Sequence, residues 1–185
     1  MTDRTEATEK LLRRLRSDAG VPPASRDVEP PELAVWRRMR DDPFLAEFFT
    51  ITEDPPVVQD YLADGHPGVA RFLSDILWLG ESDDRLPIGY WSAGADTFVG
   101  APVIYVDDEA SIELLGTSLV DFLGTRVGEY GAEELLDFCR RASLRPPMSK
   151  AECEAALEGL PDPQQVFNFF LHSVGSPQIS QVKAT

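Results

Sequence analysis

Cysteine and histidine are scarce in this chain of 185 residues, which has two of each. Cys139 and Cys153 are too few for a disulfide framework, and both fall in helical patterns, so buried free thiols are expected. His66 and His172 lie far apart, without a ligand-spaced partner or a nearby cysteine. A metal site built on them would need carboxylates from elsewhere, and none is expected. His66 reads as a turn residue, His172 as the end of a helix, where its charged form suits the dipole. No window approaches the ~18 uncharged apolar residues of a membrane span. The opening MTDRTEATEKLLRRLRSD is charged throughout and has no apolar core, so it is not a secretory signal, and a cytoplasmic location is expected. G-x-S-x-G, Walker and G-x-G-x-x-G loops are missing, which removes support for three common enzyme and nucleotide readings.

Positive charge is also lacking where negative charge is dense. Residues 51–137 carry 18 acidic and 3 basic side chains, a net −15 that equals the charge of the whole chain. The flanking segments nearly cancel. A field of one sign steers a cationic partner and disfavours nucleic acid or anionic lipid. The acids come in runs: Asp83-Asp84, Asp107-Asp108-Glu109 and Glu133-Glu134. General acid–base work needs two carboxyls in a cleft with their pKa values pushed apart, which exposed runs do not supply. A glycosidase-like pairing of Asp96 with Glu109, or a divalent cation at Asp107, Asp108 and Glu109, is the enzymatic alternative. The cation lacks calcium-loop spacing. Ser118 reads as a helix cap rather than a nucleophile. No catalytic constellation and no cofactor is expected.

With 43% apolar residues the chain can bury a real core. Fifteen prolines punctuate it, in pairs at Pro22-Pro23, Pro30-Pro31, Pro55-Pro56 and Pro146-Pro147. Residues 4–17 form a helical stripe with Leu11, Leu12 and Leu15, read as a docked arm or a helix ordered on association. Gly20 to Glu29 is a linker. Pro30-Pro31 opens a helix with Leu33, Trp36 and Met39 in step, and Phe44, Leu45, Phe48 and Phe49 give a short apolar turn. Val57, Val58, Tyr61 and Leu62 suggest another. Val69, Phe72, Leu73, Ile76 and Leu77 predict a helix up to Gly80.

From Leu86 the period changes. Leu86 to Ala93 and Pro102 to Asp107 are strands, and Ser111 to Leu115 a third, closing a hairpin with the second. Thr117 or Ser118 caps a helix with Leu119, Phe122 and Leu123 inward, ended by Gly128. Three more helices follow: one begins at Glu133-Glu134, one at a Ser149/Glu152 capping box, one at Asp162-Pro163. The class is α+β, a small mostly antiparallel sheet packed by several helices, with additional N- and C-terminal helices. Residues 1–29 read as helical arm and linker, 30–172 as a single domain, 173–185 as a flexible tail.

The segment Leu86 to Leu123 resembles the SUKH superfamily, shared by fungal cell-wall regulators of the Smi/Knr type and many bacterial immunity proteins. Three stretches carry the likeness: Leu86-Pro87-Ile88-Gly89-Tyr90-Trp91, then Pro102-Val103-Ile104-Tyr105-Val106-Asp107-Asp108-Glu109, then Thr117-Ser118-Leu119-Val120-Asp121-Phe122-Leu123. These are packing motifs. The resemblance implies a non-enzymatic immunity protein that binds and neutralises a cognate polymorphic toxin, a cationic nuclease or nucleic-acid deaminase. The charge agrees, since such toxins need cationic grooves for phosphates.

The expected partner surface is the acidic middle, Asp83, Asp84, Asp96, Asp107, Asp108 and Glu109, with Tyr90, Trp91 or Phe98 as aromatic anchors. Its partner is a basic toxin domain; no nucleic acid or membrane is expected, and a homodimer is compatible. The alternatives are a regulatory or scaffold module of the same fold, an enzyme of unrecognised type, and a DNA mimic.

Overall fold

The computed structural model describes residues 3–17, 21–52, 65–107, 111–128 and 131–173. Helix α1 (Arg4–Leu15) starts where the Asp3 carboxylate accepts from the Thr5 amide. Helix α2 (Pro31–Met39) uses Pro31 at its first position, where no donor is needed. Helix α3 (Pro43–Phe48) is capped by Asp42 and runs directly into strand β1 (Phe49–Ile51). The apolar turn expected at Val57 to Leu62 lies outside the described residues.

Helix α4 (Pro67–Ser74) is capped by His66, whose Nδ1 accepts from the Gly68 and Val69 amides at 3.1 and 3.4 Å. Here the structure corrects the sequence reading. The helix stops at Ser74, Asp75 turns the chain, and Ile76–Ser82 is strand β2. The spacing Val69, Phe72, Leu73, Ile76, Leu77 fits a helix, but Ile76 to Leu79 is also a continuous apolar run. Such a run suits a strand covered on both faces, and periodicity alone cannot separate the two. Pairing decides it: β1 lies on one side of β2 and strand β3 (Pro87–Trp91) on the other. Gly80 permits the first contact, because a Cβ there would sit 1.9 Å from the Thr50 carbonyl oxygen.

Strands β4 (Val103–Val106) and β5 (Ile112–Gly116) complete a five-stranded sheet in the order β1-β2-β3-β4-β5, antiparallel throughout. Helix α5 (Leu119–Val127) follows, capped by Ser118 and ended at Gly128. Then come α6 (Ala132–Ala142), α7 (Lys150–Glu158), which begins with the Ser149/Glu152 capping box, and α8 (Pro163–Ser173), where Asp162 accepts from the Gln164 and Gln165 amides.

Alternation along each strand sends side chains to two separate cores. One face carries Leu77, Leu79, Ile88, Tyr90 and Val103, covered by Trp36, Leu45, Leu119, Leu123 and Phe138 of α2, α3, α5 and α6. The other carries Ile76, Trp91, Ile104 and Ile112, covered by Leu11, Phe72, Phe167 and Phe170 of α1, α4 and α8. The fold is α+β, as expected, with helices on both faces of one antiparallel sheet. Every residue of β3 is buried.

The N-terminal arm and linker are packed into this body. Leu11, Val21 and Ala24 are buried. Arg71 donates to the Val21 carbonyl at 2.7 Å and Ser25 N–H to the Asp96 carbonyl at 2.8 Å. The Asp162 amide donates to Thr8 Oγ1 at 2.8 Å.

Candidate functional site

Antiparallel order places the β2–β3 and β4–β5 turns at the same end of the sheet. Asp83 and Asp84 lie on the first turn, Asp107 on the second. The first is closed by Arg85 N–H to the Ser82 carbonyl at 2.9 Å and Ser82 N–H to the Leu86 carbonyl at 3.0 Å. Arg85 is left-handed there, with φ 60°. In the second, Asp107 Oδ1 accepts from the Ser111 amide at 2.7 Å. Asp108 and Glu109 lie outside the described residues.

Helix α5 runs back along the sheet and delivers Arg126 to this end. Its Nη2 donates to Asp83 Oδ1 at 2.5 Å and to Asp84 Oδ2 at 2.8 Å. Both carboxylates stay exposed, so the pairs add little stability, and one guanidinium leaves one charge of the two uncompensated. Beneath them is a cleft of about 130 Å³ with an apolar floor of Ile88, Tyr105, Leu115 and Phe122, and with Asp84 and Arg126 in its wall. Glu113 faces Tyr105 across the β4–β5 pair. Burial, then the Glu113 and Asp107 charges, push the Tyr105 hydroxyl up, so it stays a neutral donor. The end of the sheet thus combines carboxylates with an apolar, hydroxyl-bearing slot. That chemistry suits the long stem and charged head of a lysine or arginine.

The other expected site residues go elsewhere. Asp96 sits exposed on the β3–β4 connection, at the opposite end of the sheet, and does not join the Asp83, Asp84 and Asp107 group. Tyr90 and Trp91 are 1% exposed and Phe98 is fully buried, which corrects the expectation of surface anchors. The cause is the second helical layer: with both faces of β3 covered, neither parity of its residues reaches solvent.

Tyr90 instead donates its hydroxyl to Glu32 Oε1 at 2.5 Å. Burial raises the Glu32 carboxyl above its usual range, and the Tyr90 bond and the Arg145 charge oppose that only in part. Burial, with Glu32 beside it, pushes the Tyr90 phenol well up. Nearby, Asp121 is fully buried and holds the start of α5 to the loop after α6. Its Oδ1 accepts from Arg145 Nη1 and from the Met148 amide, both at 2.9 Å. Its Oδ2 accepts from Thr117 at 2.5 Å, from Ser118 at 2.9 Å and from Arg145 Nη2. Burial alone would raise this carboxyl, but those donors hold it down at about 2. Ser118 is the helix cap, as read from sequence. The two histidines belong to α4 and α8 on the far face of the sheet. In the sequence Asp121 falls within the third packing stretch and outside the expected partner surface, and its position three residues into a capped helix fits an internal role.

Among the described residues, no group of three or more His, Cys, Asp or Glu is placed to hold a metal ion. Cys139 and Cys153 are free, and burial pushes both thiols up. No described helix is long and apolar enough to cross a membrane. No protein-family model, curated protein or solved structure matches this chain.

Proposed function

We propose that the chain is a non-enzymatic binder of a basic protein, acting as a cytoplasmic immunity protein of the SUKH type: it occupies and neutralises a cognate polymorphic toxin, a cationic nuclease or nucleic-acid deaminase. One observation supports this above the others: two separate turns bring Asp83, Asp84 and Asp107 to one end of the sheet, over an apolar slot. A toxin surface that grips phosphates presents Arg and Lys of the size and charge this end accommodates.

The test is rescue. The effector domain encoded beside this gene is expressed alone and with this chain. The expected outcome is growth arrest alone and recovery together, with recovery lost in an Asp84→Lys/Glu113→Lys double variant. The complex should dissociate more readily as salt rises from 50 to 500 mM, since screening weakens exposed charge pairs. Absence of rescue, or equal rescue by the charge-reversed variant, overturns the reading.

A further inference from the structure

We propose that the outer edge of β5 accepts, as a sixth strand, an extended segment of the basic partner carrying Lys or Arg at alternate positions. The inference rests on the basic-partner reading above and names its docking mode. Just before β5 the Ser111 carbonyl accepts from Asp107 N–H at 3.0 Å, so residue 111 bonds inward to the preceding strand. Antiparallel alternation then turns the amides and carbonyls of Ile112 and Leu114 outward. Ile112 shows it directly: its N–H donates away from the sheet, to Gln164 Oε1 at 2.8 Å. A side-chain amide oxygen therefore sits where the backbone carbonyl of a further strand would sit, on the same donor and with the same chemistry. One rung of a missing strand is already filled by a mimic.

Space lies beside that rung. A groove of about 390 Å³ runs along Ser111 to Leu114, with Arg4 and Asp162 to Gln164 as its far wall. The edges of a sheet are where chains add by backbone pairing, and side chains of the added strand alternate between its two faces. On one face they would meet exposed Glu113, with Asp107 near; on the other, half-buried Leu114 and the start of α8. Basic residues suit the first and apolar residues the second. A second copy of this chain fits poorly, because self-pairing of β5 would bring two copies of Glu113 and of the Asp107 turn together, between molecules of charge −15 each.

The probe is a synthetic peptide alternating lysine and valine, followed by amide NMR of the full-length protein. Expected are shifts and slowed hydrogen exchange at the Ile112 and Leu114 amides. Methylating the backbone nitrogens of alternate residues should weaken binding about tenfold for one lost hydrogen bond, which leaves the protein itself untouched. Replacing lysine by glutamate should abolish binding, and Gln164→Ala, which frees the Ile112 donor, should tighten it. Binding unaffected by methylation, shifts confined to Asp83, Asp84 and Arg126, or no binding at all overturns strand addition. Should rescue of the effector succeed while the peptide fails, only this inference falls; peptide binding without rescue removes the toxin reading alone.

Discussion

Asp121 shows how much one carboxylate can organise. Five donors converge on it: two from Arg145, the hydroxyls of Thr117 and Ser118, and the Met148 amide. It sits in the first turn of α5, where the helix dipole also favours an anion. Removing the charge leaves Arg145 without its counter-ion and two hydroxyls competing for a weaker acceptor. Asp121→Asn is expected to cost about 3 kcal/mol, read as a lower urea midpoint at unchanged slope. A loss below about 1 kcal/mol, the range of exposed ion pairs, would show that the cluster is not the clamp between α5 and the following loop. The contrast with Asp83 and Asp84 is instructive, because the same residue type, paired with Arg126 but exposed, contributes little to stability.

At the scale of elements, the sheet depends on β2 being a strand. It is flanked on both sides, and Gly80 lets β1 approach. An alanine at 80 must push the Thr50 carbonyl away, since its Cβ would lie 1.9 Å from that oxygen. Gly80→Ala should therefore detach β1 while β2 to β5 stay paired. The measurement is hydrogen exchange at Thr52, whose amide donates to Leu79 at 3.1 Å, together with an overall loss of about 2 kcal/mol. Unchanged protection at Thr52 would mean the edge adapts at no cost.

For the whole molecule, charge and burial predict an acid-shifted stability optimum. Burial raises Glu32 and Asp75, the latter despite its ion pair with Arg71 at 2.7 Å. Each folded carboxyl holds its proton more tightly than the unfolded one, so stability from these groups falls as pH rises through their raised values. Asp121 has the opposite sign: its contribution, on the order of 2 kcal/mol, is complete above about pH 4 and is lost as pH falls towards about 2. Self-repulsion of a chain of charge −15 at pH 7 adds to the decline at higher pH. Thermal midpoints measured in dilute protein should be higher in mild acid, above the range where Asp121 protonates, than at pH 8, with a smaller difference in Glu32→Gln. A midpoint rising steadily from pH 5 to 8 would contradict this.

Local chemistry was legible without coordinates. Caps at Ser118, Ser149 and Asp162, the strands β3, β4 and β5, and the free thiols follow from short-range pattern, because turns, caps and period depend on neighbouring residues. The α+β class follows from the same signals. What pattern could not supply was contact between distant segments. β2 became a strand because β1 and β3 flank it; Tyr90 and Trp91 disappeared because a second helical layer covers β3. Asp96 parted from Asp83 because successive turns of an antiparallel sheet alternate between its ends, and Asp121 turned inward because Arg145 arrived from 24 residues later. Composition sets how much charge a chain carries, while only the path of the chain through space decides which charges meet solvent and which meet each other.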